Sequence, residues 1–129
     1  VNAFYNATVE LNLADKITLF TMSDFGRTFQ PAGSGAAAVG TDHAWGNHQL
    51  IVGGAVLGRT LYGSYPTLAL GGPDDTDGGS NPRGRWIPTT SVEQYAATLA
   101  NWYGLSSADL SAVFPLIGRF SSTNLGFLG

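Results

Sequence analysis

Cysteine is absent from this chain of 129 residues, which excludes disulfides, thiolate metal sites and cysteine nucleophiles and leaves the compartment open. Charge is scarce as well. Charged residues make up 12% of the chain, about half the usual share. The net charge of -3 is spread without runs, so no basic face is available to neutralise phosphates, and nucleic acid is not an expected partner. Long apolar runs are missing too: no segment approaches the roughly 18 to 20 uninterrupted apolar residues of a membrane span, and the N-terminus lacks the basic and apolar regions of a signal peptide. No membrane partner is expected. Only 2 histidines occur. Glycine is in excess instead, with 18 residues, about twice average usage, which implies a loop-rich chain whose backbone runs close to other groups.

The length suits one domain spanning residues 1–129, able to bury roughly two-thirds of the surface its unfolded chain would expose. The sequence opens at Val1, without an initiating methionine and directly inside a helical pattern. The expectation is a C-terminal fragment of a longer protein.

Val1, Phe4, Tyr5, Thr8, Val9 and Leu11 recur at helical spacing, with Asn2, Asn6 and Glu10 between them, which predicts an amphipathic helix of about three turns. Residues 16–22 are nearly continuously apolar and rich in β-branched and aromatic types, as in a strand buried on both faces. Its carboxyl end delivers Ser23 and Asp24, where ligands bind in open α/β sheets. Residues 26–47 are glycine-rich without apolar periodicity and read as a long loop. A second strand is predicted over residues 49–57, then a hairpin excursion around residues 58–62 and a short strand over residues 67–70. Residues 71–84 read as another loop.

The clearest helix signal follows. Residues 90–93 match a capping box, Val92, Tyr95, Ala96, Leu99, Trp102 and Tyr103 form an apolar stripe, and Gly104 is the stop. A shorter helix is predicted after Ser106, with Asp109 in its cap, ending before Pro115. The tail over residues 121–129 carries Leu125, Phe127 and Leu128 without pattern, and either docks or stays disordered.

Two short motifs concentrate the chemistry. Residues 40–48, Gly-Thr-Asp-His-Ala-Trp-Gly-Asn-His, hold both histidines beside an aspartate. Residues 23–28, Ser-Asp-Phe-Gly-Arg-Thr, follow the first strand. Neutral imidazole and carboxylate are the ligands that suit zinc or manganese when no thiolate exists, and Asp24, Asp42, His43 and His48 supply up to four. The spacing matches no recognised helical zinc motif. His43 and His48 as hydrogen-bonded loop residues and Asp42 as a turn cap are therefore the plainer readings, whereas Asp24 as a turn or N-cap residue stands level with a functional role. Arg27 suits bidentate contact with an anionic oxygen, or a surface ion pair. Residues 74–81 resemble an oxygen-ligand calcium loop but lack the glutamate at its twelfth position, and an ordinary solvated loop is the plainer reading. Trp45, Trp86 and Trp102 suit a sugar-binding face or simply the core.

The stretches TLFTMSDFGRTF, GTDHAWGNH, GGAVLGRTLYGSYPTL and RGRWIPTTSVEQYAATLANWYG resemble, in this order, the C-terminal region of the bacterial domain-of-unknown-function fifteen-oh-one family. That family comprises exported proteins similar to sulfatases and alkaline phosphatases. The resemblance runs from about Val1 to Phe114. It implies an α/β fold, the C-terminal portion of a three-layer α/β/α sandwich of alkaline-phosphatase-like type. It also implies a periplasmic or exported location and a site where divalent zinc, manganese or calcium polarises a phosphate or sulfate ester of a small molecule or saccharide. By this resemblance Asp24 and His43 are metal ligands. Asp42, His48 and Arg27 are supporting or substrate-binding residues.

Two departures from the family pattern matter. Phe25 stands where the superfamily commonly has a histidine, and the nucleophile of such enzymes comes from an N-terminal half that this sequence lacks. Thr89, Thr90 and Ser91 sit at a helix start where their hydroxyls cap. The expectation is a hydrolase when complete, with no catalytic residue in this chain and no activity in isolation. The other expectation is a non-catalytic binding or structural module that keeps the fold. In either case missing sheet partners would leave an edge open for self-association.

Overall fold

The computed structural model describes residues 1–33, 35–37 and 39–129. Along the chain run α1 (Asn2–Glu10), β1 (Thr18–Phe20), β2 (Gly26–Arg27), β3 (His43–Ala44), β4 (Ile51–Gly53), α2 (Val92–Tyr103) and α3 (Leu110–Val113), joined by 3₁₀ turns and loops. Two compact units result, each assembled from separate stretches. The first gathers Val1–Thr21, Gln49–Gly63 and Thr90–Gly129, and the second Met22–His48 and Ser64–Thr89.

In the first unit β1 pairs antiparallel with β4, Leu19 opposite Val52. In the second, β2 pairs antiparallel with β3. Helices and small sheets thus coexist as an α/β chain should have them. The described residues pair their strands only two by two, and the wide sheet of a three-layer sandwich is not among them. β1 is shorter than predicted and is not buried on both faces, since Leu19 and Phe20 remain 37% and 43% exposed. A two-stranded antiparallel ladder needs no crossover helices to cover it, so burial on both faces does not follow from its composition. The predicted strand over residues 67–70 does not form: the Thr67 N–H donates instead to the Asp74 carboxylate at 2.6 Å.

α2 forms where its caps predict, one residue later at its start. Ser91, in extended conformation, accepts from the Gln94 N–H at 3.1 Å, and the Gln94 side chain accepts from the Ser91 N–H at 3.1 Å, so the capping box is Ser91 with Gln94. Gly104 closes the helix at φ 119°, a conformation that costs a residue with a Cβ far more than glycine. The buried face differs from the predicted stripe. Tyr95, Ala97 and Thr98 are inside, whereas Val92 and Tyr103 are 56% and 87% exposed. Small Ala97 is favoured because it lets Leu110 and Ile117 approach, with Leu105, Phe114 and Phe120 around them. Thr98 is buried without penalty because its hydroxyl donates to the Gln94 carbonyl and accepts from the Leu125 N–H.

That last bond belongs to the C-terminal tail, which docks. Phe127 is 1% exposed between the rings of Tyr62 and Tyr95, and Leu57 and Phe127, then Gly129 and Ala55, share backbone hydrogen bonds. Burying such a side chain contributes roughly 1.5–3 kcal/mol. The Tyr95 hydroxyl donates to the Thr21 carbonyl, and burial raises its pKa, so it remains a donor well above neutral pH. α1 is less well covered: Thr8 is buried, while Phe4, Val9 and Leu11 of its predicted apolar stripe are exposed. α3 is a single turn beginning after Asp109, whose carboxylate is held by the Ser106 hydroxyl rather than by the helix N-terminus. No helix among the described residues is long and apolar enough to cross a membrane.

The second unit is organised by Asp75. Its buried carboxylate accepts four backbone N–H bonds, from Gly71 and Gly84 on one oxygen and from Asp77 and Arg85 on the other. Burial alone would raise its pKa, but the four donors outweigh that effect and hold it below the ordinary carboxylate value. The result fixes residues 71–85 as a structured turn and brings Trp86 into bridge pairing with Asp75.

Candidate functional site

The two sequence motifs meet in the second unit. Gly26 pairs with Ala44 and Arg27 with His43 in the β2–β3 ladder. The ladder continues through Thr28, whose N–H donates to the Asp42 carbonyl at 2.9 Å and whose hydroxyl accepts from the Asp42 N–H at 3.1 Å. A Cβ on Gly26 would run into the carbonyl of Gly46, so a glycine at this point is what allows the two motif backbones to touch. The Asn47 amide fastens the other side by donating to the Phe25 carbonyl at 2.8 Å. The expected loop over residues 26–47 therefore contains two strands, and their pairing places residues 23–28 beside residues 40–48.

Phe25 sits at the centre of this face. Its ring meets the His43 imidazole edge-on at 6.0 Å between centroids, and the Arg27 guanidinium lies over it at 5.0 Å. Asp24, next along the chain, is exposed on the bend before β2. Arg27 donates to the Thr41 carbonyl at 2.8 Å, so its guanidinium stacks on Phe25 and caps a backbone group. Asp42 forms an ion pair with Arg83. His48 lies away from this face in its contacts: its Nε2 is 2.6 Å from the Tyr65 hydroxyl and the two rings are 5.1 Å apart.

The donor types of Asp24 and His43, a carboxylate and an imidazole, suit zinc or manganese. Their number falls short. Among the described residues no three of His, Asp and Glu come together as ligands. In the acidic stretch over residues 74–81 each carboxylate makes internal bonds. Asp74 receives the Thr67 N–H, Asp75 its four backbone donors, and Asp77 the Arg85 guanidinium at 2.6 Å. A metal held at Asp24 and His43 would need further ligands from outside the described set.

A cavity of about 380 Å³ opens beside the ladder, lined by His43, Ala44, Trp45 and Arg85. Arg85 is tied down twice, by Nε to the His43 carbonyl at 2.9 Å and by Nη1 to Asp77. Arg83 and Arg85 had no distinguishing signal in the sequence. Their contacts with residues 42 and 43 depend on the turn that Asp75 builds, and no local spacing encodes it. The hydroxyls near the start of α2 are engaged as well: Thr89 donates to the Ser64 carbonyl, and Ser91 caps the helix.

Over residues 3–76 the chain matches the family described as Protein of unknown function (DUF1501). No curated protein and no solved structure gives a significant match.

Proposed function

The chain belongs to the DUF1501 family, and from that premise we propose that it is the C-terminal part of an exported, sulfatase- and alkaline-phosphatase-like protein, lending Asp24 and His43 to a divalent-metal site. The complete protein would have the three-layer sandwich, lie in the periplasm or outside the cell, and hydrolyse a phosphate or sulfate ester of a small molecule or saccharide. The observation that supports this reading is the β2–β3 ladder, which pairs residues 26–27, just after Asp24, with residues 43–44. Zinc, manganese or calcium bound there would polarise the ester oxygens. The chain's own contribution is positional: Phe25 backs His43, and Arg27 locks the loop at Thr41.

A second reading is a non-catalytic module. It is supported by the pairing of Asp42 with Arg83 and by the bond between His48 Nε2 and the Tyr65 hydroxyl, which engage two of the four candidate ligands. In this reading Phe25 replaces a ligand with a packing residue.

The purified chain, assayed with p-nitrophenyl phosphate and p-nitrophenyl sulfate in the presence of zinc, manganese or calcium, is expected to give no turnover. Metal titration is expected to show weak binding that falls with Asp24→Ala and with His43→Ala. Turnover abolished by Asp24→Ala would overturn the inactivity of the isolated chain. Metal binding unchanged in both variants would select the non-catalytic module.

A further inference from the structure

We propose that the cavity lined by His43, Ala44, Trp45 and Arg85 binds the ring of a neutral sugar, with the indole of Trp45 as its platform. Trp45 is 59% exposed, although its one polar atom is already satisfied: Nε1–H donates to the Thr76 hydroxyl at 3.0 Å. What it offers to solvent is therefore apolar ring surface. Its anchor is itself fixed, since the Thr76 hydroxyl donates to the Arg85 carbonyl at 3.0 Å and the Thr76 N–H donates to the same oxygen. The indole and Arg85 are thus held on one frame before any ligand arrives, which removes part of the ordering cost of binding.

The electrostatics select the ligand class. Arg85 is paired with Asp77, and Arg83 nearby in the fold of the same unit is paired with Asp42, so neither guanidinium carries an uncompensated charge. An anion gains little from such a site. A guanidinium has five N–H donors, and the bonds to Asp77 and to the His43 carbonyl use two of Arg85's, so donors remain for hydroxyl oxygens. A pyranose fits both demands. Its C–H face meets the electron-rich face of the indole, and its hydroxyls accept from the remaining N–H groups. The depression, about 380 Å³, is open to solvent, which suits a ring laid flat against the indole. The assignment is independent of the metal reading, because it uses neither Asp24 nor the His43 imidazole as a metal ligand.

The test is a titration of the purified chain with maltose, cellobiose and lactose in EDTA, read by ligand-detected NMR, with glucose 6-phosphate as the anionic comparison. At least one neutral disaccharide should bind with a Kd of roughly 1 mM or tighter. Trp45→Ala should weaken that binding at least ~10-fold, and Trp45→Phe, which retains a ring, by less. Circular dichroism and the fluorescence of Trp86 and Trp102 report whether each variant is folded, and Trp45→Phe carries the test if Trp45→Ala is not. The proposal is overturned if no neutral sugar binds, if folded Trp45 variants bind as well as the original chain, or if glucose 6-phosphate binds ~10-fold more tightly than every neutral sugar. Because EDTA removes divalent metals, failure here leaves the Asp24 and His43 reading untouched.

Discussion

Arg83 reaches the Asp42 carboxylate through Nη1 and keeps its other terminal nitrogen, Nη2, buried without a hydrogen-bond partner among the described residues. The pair joins the loop before β3 to the turn organised by Asp75. Both side chains are partly exposed, at 21% for Arg83 and 41% for Asp42, so the ion pair contributes about 1 kcal/mol or less. Arg83→Ala should therefore lower stability in urea only slightly. It also frees the Asp42 carboxylate beside His43. If the loop has latent affinity for zinc, calorimetric titration should show tighter binding in Arg83→Ala than in the original chain, whereas unchanged binding would rule Asp42 out as a ligand.

Asp75 should govern the acid stability of the second unit. Its folded-state pKa is depressed, because the backbone N–H groups of Gly71, Asp77, Arg85 and Gly84 outweigh the opposing effect of burial. A depressed carboxylate contributes stability that is fully present above its ordinary value of 3.8 and is lost as pH falls through the folded value. Thermal melts between neutral pH and pH 2 should show this loss in the original chain and a flatter profile in Asp75→Asn. The amide keeps one accepting oxygen but replaces the other with an NH2 group that faces two backbone N–H donors, so Asp75→Asn should melt at lower temperature at neutral pH. Equal melting temperatures at neutral pH would contradict the four-bond arrangement.

Gly26→Ala should separate the two motifs. The added methyl meets the Gly46 carbonyl, a backbone atom that cannot rotate away. A cost of roughly 1–3 kcal/mol is expected for such overpacking, with faster amide exchange at Thr28 and Asp42, whose N–H groups belong to the ladder. Native protection at both amides in the variant would show that the close approach is not needed.

β1 should drive association between copies of the chain. Its sheet has two strands among the described residues, a size that is marginally stable by itself, and Leu19 and Phe20 are exposed on it. Sedimentation velocity should show a weight-average mass that rises with concentration, and Leu19→Lys should reduce that rise by placing a charge on the exposed strand. A single monomeric species at all concentrations would remove β1 as an adhesive edge.

What the sequence determined by itself is local. The Ser91 cap, the Gly104 stop and the run between them specify α2 because capping and left-handed glycine act over a few residues, and even there the box lies one residue from its first reading. The concentration of both histidines and an aspartate in residues 40–48 was visible in the same way, as was the possibility that residues 23–28 share their site. The tertiary structure decided what those side chains can do. Asp42 pairs with Arg83, Arg27 donates to the Thr41 carbonyl, His48 turns to Tyr65, and the tail docks through Phe127, all through partners far along the chain. Such contacts carry no periodic signal. They depend on close approaches such as Gly26 to Gly46 and on the turn held by Asp75, where one buried carboxylate gathers backbone donors from four residues.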